Sequence, residues 1–270
     1  MLEKLKETVS WLRPKVSAET KIGIILGTGL GELANSITNK TEIPYEKIPH
    51  FPISTVEGHN GKLLIGQLGE KSVAVMQGRF HYYEGYDMSH ITYPVRVMQF
   101  LEFNYLIISN AAGGINATFQ IGDIMLIEDH INLFPKNPLR GRNFPEFGVR
   151  FPDMSQVYDK ELRSLAISVT KKNNIKLQFG TYVGVQGPTF ETPAEYNYFR
   201  IIGGDAIGMS TIPEVIVARH GGLRVLAFSI ITDLGILGKI IEVNHKDVRK
   251  AGNSAQPQMA FIIKEIIKHL

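Results

Sequence analysis

The sequence contains no cysteine among its 270 residues. This absence excludes disulfide bonds, thiolate metal sites and catalysis by a cysteine nucleophile. A chain without cysteine suits a reducing compartment, and we expect it to act in the cytoplasm. The histidines are dispersed along the chain, and none has the spacing of a His-Glu-x-x-His zinc site, so we expect no bound metal.

Strong net charge and long apolar segments are also missing. The formal net charge is +3, and the basic residues form no cluster of the kind that binds nucleic acid. No apolar run is long enough to span a membrane. Residues 1–14 have the pattern of an amphipathic helix rather than the uninterrupted apolar centre of a signal peptide. We therefore expect neither nucleic acid nor a membrane among the partners.

Short apolar runs rich in β-branched residues alternate with segments of helical periodicity. The clearest predicted strands are residues 22–26, 105–109 and 224–231. This alternation predicts an α/β fold. Residues 132–155 form a long proline-rich loop, of the kind that serves as a lid or an interface segment. Because no linker, repeat or low-complexity tract is present, we expect a single domain over residues 1–270.

Residues 204–220 combine a short apolar run that ends at Met209 with a polar corner and a helix start. Thr211 and Glu214 have the spacing of a capping box. Such a corner presents backbone N–H groups and the Ser210 hydroxyl to an anion. The alternative is that Ser210 and Thr211 only cap the helix.

A glycine-rich turn, Gly-Thr-Gly-Leu-Gly at residues 27–31, follows the first predicted strand. Glu32 stands where a dinucleotide-binding turn requires glycine, and no Lys-Ser/Thr pair follows, so neither standard phosphate motif is present. A phosphate cradle with Thr28 as a donor is one interpretation, and a plain strand-to-helix turn is the other. His59, in the turn at residues 58–61, is either a further ligand or a solvated histidine.

The densest polar segment is residues 77–86, Gln-Gly-Arg-Phe-His-Tyr-Tyr-Glu-Gly-Tyr, which ends another predicted strand. The forked guanidinium of Arg79 suits bidentate recognition of phosphate. Glu84 is close enough in sequence to orient His81. A surface loop with aromatic packing is the alternative interpretation.

Further polar groups follow other predicted strands, among them Asn110, Glu191 and Asp233. Ligands bind at the carboxyl ends of strands in α/β sheets, so we expect these groups to share one site. Glu191 would alternatively serve only the dipole of the helix that follows it. The full set comprises oxyanion donors (Thr28, His59, Arg79, Ser210), carboxylates (Glu191, Asp233) and aromatic rings (Tyr83, Phe190). This combination suits an oxyanion beside a flat, hydrogen-bonding ring.

Together these motifs resemble the trimeric purine nucleoside phosphorylases, and the resemblance covers nearly the whole chain. It is carried by residues 27–31, 58–61, 77–85, 110–114, 187–192 and 204–220. It implies a central mixed, twisted β-sheet flanked by helices, and a homotrimer. It also implies an enzyme of purine salvage that catalyses the phosphorolysis of purine (deoxy)ribonucleosides to free base and (deoxy)ribose 1-phosphate. No cofactor is implied, and inorganic phosphate is a co-substrate.

The resemblance also implies a role for each matching residue. Thr28, Arg79, His81, Ser210 and the N–H of Ala111 would hold phosphate, with His59 at its margin. Tyr83 and Met209 would contact the ribose, and His245 its 5′-hydroxyl. Phe190 would stack on the base, Glu191 would bind its pyrimidine edge and Asp233 its imidazole edge, with His81, Glu191 and Asp233 as the catalytic set. Phe147 would enter the site of a neighbouring subunit.

Two departures from the family pattern bear on specificity. Most members have serine where Thr28 stands, and members specific for 6-oxopurines have asparagine at the position of Asp233. At both positions the related methylthioadenosine phosphorylases resemble this chain, with threonine at the first and aspartate at the second. They lack, however, a counterpart of His245 and the Phe-His-Tyr-Tyr-Glu-Gly motif. We therefore expect relaxed base specificity. Methylthioadenosine phosphorylase is the alternative enzyme, and a non-catalytic nucleoside- or phosphate-binding protein is the alternative from another class.

Overall fold

The computed structural model describes residues 1–27, 31–53 and 61–270, apart from the side chains of Glu32 and His245. The described strands are β1 Ile22–Leu26, β2 Thr38–Pro44, β3 Lys62–Leu68, β4 Lys71–Gln77, β5 Tyr105–Gly114, β6 Ile124–Asn132, β7 Gln178–Gly184, β8 Ala206–Gly208 and β9 Arg224–Leu234. The described α-helices are α1 Leu2–Leu12, α2 Gly31–Asn35, α3 Met88–Ile91, α4 Tyr93–Phe100, α5 Lys160–Lys172, α6 Pro193–Ile201, α7 Ile212–His220 and α8 His245–Ile267. In this part of the chain, no helix combines the length and the apolar character needed to cross a membrane.

The strands form one mixed sheet in the order β2-β3-β4-β1-β5-β8-β7-β6-β9. β1 lies parallel to both β4 and β5, whereas β2, β3 and β4 form an antiparallel meander. β5 also pairs in parallel with β9, so β5, β8, β7, β6 and β9 close into a ring. The predicted α/β fold with a mixed central sheet is confirmed.

Helices cover both faces of this sheet. Successive side chains along each strand point to opposite faces, so neighbouring residues of one strand enter different apolar clusters. Ile25 and Ile108 enter an apolar cluster with α1, α4 and α7, whereas Ile24 and Ile107 enter a second cluster with α2, α5 and α8. Both sheet faces are therefore buried, which explains the nearly continuous apolar runs of β1 and β5.

Two strands extend beyond their predicted ends, and this changes how the site is built. β5 continues past the predicted residues 105–109, and β9 continues past the predicted residues 224–231. Their parallel pairing persists through this extension, and Gly113 pairs with Asp233. Asn110 and Asp233 consequently lie within paired strands, where the backbone is held by the ladder, rather than in the turns that follow.

Candidate active site

The predicted site residues converge on one cavity of about 520 Å³. Its lining includes Arg79, His81, Tyr83, Ala111, Phe190, Glu191, Met209, Ser210 and Asp233. It forms where β1 and β4 end side by side, since Leu26 and Gln77 are register partners. Gly27, just beyond β1, also lines the cavity, and a Cβ atom there would lie 2.7 Å from the Ser109 carbonyl oxygen. Glycine is therefore needed for the close approach of these two backbones.

Arg79 is the buried cation of the cavity, with 1% of its surface exposed. Its Nη1 donates to Ser210 Oγ at 2.7 Å and to Thr211 Oγ1 at 3.1 Å. Its Nη2 donates to the Ser109 carbonyl at 2.7 Å, and its Nε lies 3.6 Å from Glu214 Oε1. The forked guanidinium is thus engaged within the protein. It fixes a positive charge directly beside the Ser210 hydroxyl, which faces the cavity.

The predicted capping box at the start of α7 does not form. The Thr211 side chain makes no cap hydrogen bond. Its hydroxyl instead accepts from Arg79 Nη1 and from Asn110 Nδ2, the latter at 2.9 Å. Thr211 has φ 73°, a strained conformation for a β-branched residue. The Thr211 hydroxyl therefore bonds two residues of the site, Arg79 and Asn110, and does not cap the helix.

His81 is oriented by Glu84, as the sequence predicts. The Glu84 carboxylate accepts from the backbone N–H of His81 at 2.8 Å and lies 3.0 Å from its Nδ1. The Tyr83 ring stacks on the imidazole, with centroids 4.6 Å apart and an interplanar angle of 15°. When Nδ1 carries the proton toward Glu84, Nε2 of the neutral ring is the acceptor.

Two carboxyl groups, Glu191 and Asp233, form the acidic part of the cavity. Burial raises the pKa of Glu191 to about 7, and neighbouring Asp233 acts in the same direction. Burial also raises the pKa of Asp233, although the neighbouring Thr232 and Tyr196 hydroxyls oppose this. The Thr232 hydroxyl donates to Asp233 Oδ1 at 3.0 Å. Both carboxyls are thus poised to take up a proton much more readily than exposed ones.

Three predicted site residues cannot be assigned a contact. Thr28 and His59 lie outside the described residues. His245 begins α8, but its side chain is likewise outside the description. Val248, one turn further along α8, lines the cavity, which the sequence analysis did not anticipate.

The prediction for Phe147 is wrong. Its side chain is 5% exposed and lies under the Arg96 guanidinium, 4.6 Å from the ring centroid. Phe100 and Phe144 pack against the same ring, with centroids 5.8 Å and 5.3 Å away. An aromatic ring enclosed in this way in its own chain does not project toward a neighbour. Phe151, in the same loop, is 88% exposed.

Comparison with known proteins identifies the family. Residues 21–268 match the family model of the phosphorylase superfamily. The chain belongs to this superfamily. The resemblance drawn from the sequence motifs is therefore confirmed.

Similar members of the phosphorylase superfamily share nearly the full length of the chain. Purine nucleoside phosphorylase 1 of Bacillus subtilis is 48% identical over 269 residues, which are 99% of this chain and 98% of the relative. A crystal structure of Schistosoma mansoni purine nucleoside phosphorylase in complex with adenosine has a TM-score of 0.94 at 42% identity, and covers 99% and 97% of the two chains. A schistosoma purine nucleoside phosphorylase in complex with hypoxanthine has a TM-score of 0.93 at 42% identity, with the same coverage.

The cavity of this phosphorylase-superfamily chain carries acid–base and anion-binding groups but no cluster of metal ligands. Among the described residues, no group of three or more His, Cys, Asp or Glu side chains is arranged to hold a metal ion. The chemistry that the described groups offer is the binding of an anion beside Arg79 and Ser210, and proton exchange at Glu191 and Asp233.

Proposed function

We propose that the chain is a purine nucleoside phosphorylase. It exchanges the base of a purine nucleoside for inorganic phosphate and releases free base and (deoxy)ribose 1-phosphate. The observation that carries this proposal is the single cavity in which a buried arginine and a serine hydroxyl occur together with two carboxyls of raised pKa. No cofactor is required, because phosphate is itself the co-substrate.

The site residues support this reaction electrostatically. As the bond between sugar carbon 1 and purine nitrogen 9 breaks, its electron pair leaves with the base and the sugar becomes cationic. Phosphate held beside Arg79 and Ser210 stabilises that cation and then forms the new bond to carbon 1. Asp233 gives a proton to nitrogen 7 of the departing base. The proton carried by the bound phosphate is released, and it balances the one that Asp233 takes up again.

Relaxed base specificity is part of the proposal. Asp233 in ionised form accepts from the amino group of a 6-aminopurine, and in protonated form it donates to a 6-oxopurine. Burial raises the pKa of Asp233, which makes its protonated form easier to reach than in an exposed aspartate. The schistosome proteins whose structures contain adenosine and hypoxanthine have this same fold.

The test is release of free base from inosine, guanosine, adenosine and methylthioadenosine, each with and without added phosphate. We expect phosphate-dependent release from inosine, guanosine and adenosine. Turnover confined to methylthioadenosine would assign the chain to the alternative enzyme. Base binding without any turnover would assign it to a binding protein.

We further propose a homotrimer that acts in purine salvage in the cytoplasm, with Phe151 as the aromatic residue that the loop presents to a neighbouring subunit. The Phe151 side chain is 88% exposed, and contact of so much apolar surface with water is unfavourable unless a partner covers it.

Phe151→Ala is expected to weaken the trimer and to raise the KM for nucleoside by roughly fivefold or more, since burial of an aromatic anchor at an interface is worth more than about 1 kcal/mol. Sedimentation velocity and nucleoside KM, measured over a range of protein concentrations, check this. Phe179→Ala, at a phenylalanine that is 40% exposed on β7, is the control. A wild-type protein that sediments as a fully active monomer would refute the shared site.

A further inference from the structure

The chain turns sharply between β8 and α7, and Thr211 stands at the centre of the turn. The backbone N–H of Ile212 donates to the Ser210 carbonyl at 2.8 Å, which closes a three-residue γ-turn. Thr211 has φ 73° and ψ −57°, the angles of the rarer and more strained form of this turn. Strain of this kind persists only where surrounding contacts hold it, and it occurs most often at functional sites. The contacts of the Thr211 side chain therefore indicate what the strained turn serves.

The Thr211 hydroxyl oxygen accepts two hydrogen bonds. Arg79 Nη1 donates to it at 3.1 Å, and Asn110 Nδ2 donates to it at 2.9 Å. Each of these three residues is at most 2% exposed, so bulk water does not compete for the bonds. A hydroxyl has two lone pairs and one proton. Both lone pairs of Thr211 are therefore occupied, and only its proton is left to donate.

The Ser210 hydroxyl lies 3.1 Å from the Thr211 hydroxyl. Since both lone pairs of Thr211 are occupied, Thr211 is the donor in this contact and Ser210 is the acceptor. Ser210 Oγ also accepts from Arg79 Nη1 at 2.7 Å, which occupies its second lone pair. Arg79 Nη1 carries two N–H groups, so it can serve both hydroxyls. The Ser210 proton is the one that remains, and Ser210 lines the cavity.

We propose that Thr211 is a positioning residue that fixes the Ser210 hydroxyl as a hydrogen-bond donor toward an oxyanion in the cavity. Thr211 does not contact the anion in this assignment. It acts through Ser210, because it occupies one Ser210 lone pair and cannot accept the Ser210 proton. The proposal rests on the phosphate-binding role of Ser210 given under the proposed function.

A fixed proton favours anion binding because the alternative orientation is repulsive. Without the Thr211 hydroxyl, the Ser210 hydroxyl is free to rotate and to turn a lone pair toward the anion. Binding then requires the hydroxyl to reorient, which lowers the affinity. With Thr211 in place the donor is oriented before the anion arrives, and the adjacent Arg79 charge polarises it further.

The test compares the dissociation constants of inorganic phosphate and of sulfate, measured by calorimetry at neutral pH. Thr211→Val keeps the β-branched shape and removes the hydroxyl, whereas Thr211→Ser keeps the hydroxyl. Thr211→Gly also lacks the hydroxyl and suits the φ of 73°, so it replaces the valine variant if that variant does not fold. Thr170→Val, on α5, is the matched control, because Thr170 is 2% exposed and its hydroxyl donates to the Ala166 carbonyl at 2.9 Å.

Thr211→Val and Thr211→Gly are expected to bind phosphate roughly threefold to tenfold more weakly than wild type, because the oriented donor is lost while Ser210 remains. Sulfate, whose oxygens carry no proton at neutral pH and only accept, is expected to weaken by the same factor. Thr211→Ser and Thr170→Val are expected to match wild type.

A double-mutant cycle tests whether Thr211 acts through Ser210. Ser210→Ala alone is expected to weaken phosphate binding by roughly tenfold or more, since it removes a hydrogen bond to a charged group. Adding Thr211→Val to Ser210→Ala is expected to cause no further loss, because no hydroxyl is left to orient.

The proposal is overturned if Thr211→Val binds both anions as wild type does, or if Thr211→Ser binds them as weakly as Thr211→Val. It is also overturned if phosphate alone weakens, since Ser210 would then accept from a phosphate hydroxyl rather than donate. Full additivity with Ser210→Ala would overturn it too, because Thr211 would then act independently of Ser210.

Failure of the proposed function gives a different result. A wild-type protein that shows all the expected binding effects but releases no base from nucleosides would contradict the proposed function alone. A wild-type protein that binds neither anion would contradict the phosphate-binding role of Ser210 and the proposal that rests on it.

Discussion

Replacing Arg79 with alanine is expected to raise the phosphate concentration required for half-maximal activity by roughly tenfold to 150-fold, because a charge-assisted hydrogen bond contributes about 1.5–3 kcal/mol. The variant also removes the guanidinium that holds the Ser210 hydroxyl at 2.7 Å. Initial rates measured against phosphate at saturating inosine check this. Unchanged phosphate kinetics would show that the anion binds elsewhere.

The same substitution is expected to destabilise the fold. Glu214 is buried, with 4% of its side chain exposed, and Arg79 is the cation beside it. Leaving one member of a buried ion pair without its partner costs about 3–5 kcal/mol in the free energy of unfolding.

A double variant separates the loss of stability from the loss of phosphate binding. Arg79→Ala with Glu214→Gln carries no unpaired charge, so its denaturation midpoint is expected to recover toward wild type while its phosphate requirement stays high. If the phosphate requirement recovers together with stability, Arg79 acts only through the fold.

Replacing Asp233 with asparagine is expected to shift the ratio of kcat/KM for inosine over adenosine upward by roughly tenfold to a hundredfold, since an unmatched buried polar group costs about 1–3 kcal/mol. The asparagine amide donates to the 6-oxygen and nitrogen 7 without needing a proton from solvent, and it no longer accepts as a charged group from the adenine amino group. Parallel kinetics on the two nucleosides provide the measurement.

Asp87→Asn is the matched control for this variant. Asp87 pairs with Lys136 at the surface, and 66% of its side chain is exposed, so we expect no change in the ratio. A ratio that is also unchanged in Asp233→Asn would mean that Asp233 does not contact the base. The assignment of the reaction itself would not be affected by that outcome.

The sequence is informative about the cavity because its parts are local motifs at strand ends. Arg79, His81 and Glu84 lie within one short segment, and the orientation of His81 by Glu84 follows from their spacing alone. The predicted strands place these groups at one edge of the sheet, and the structure has them lining one cavity.

The sequence is less informative where a side chain's role depends on a distant partner. The pattern at Thr211 favours helix capping, but its hydroxyl contacts Arg79 and Asn110, which are far away in the chain. Tyr196 has the helical spacing of an ordinary core aromatic. Its packing against Gly235, which is distant in the chain, becomes visible only in the structure.

The loop at residues 132–155 shows a similar limit. Phe147 and Phe151 are both aromatic residues in an irregular segment without periodicity, so nothing local distinguishes a buried ring from an exposed one. The distinction arises because Phe100 and Arg96, on α4, enclose Phe147 and leave Phe151 outside.

The most direct test of the proposed reaction is to follow inosine and inorganic phosphate by phosphorus NMR while hypoxanthine is measured in the same sample. Phosphorolysis predicts that a sugar 1-phosphate resonance grows in equal amount to the hypoxanthine released, and that neither product forms without phosphate. Hypoxanthine released together with free ribose, at a rate independent of phosphate, would contradict the account and indicate hydrolysis instead.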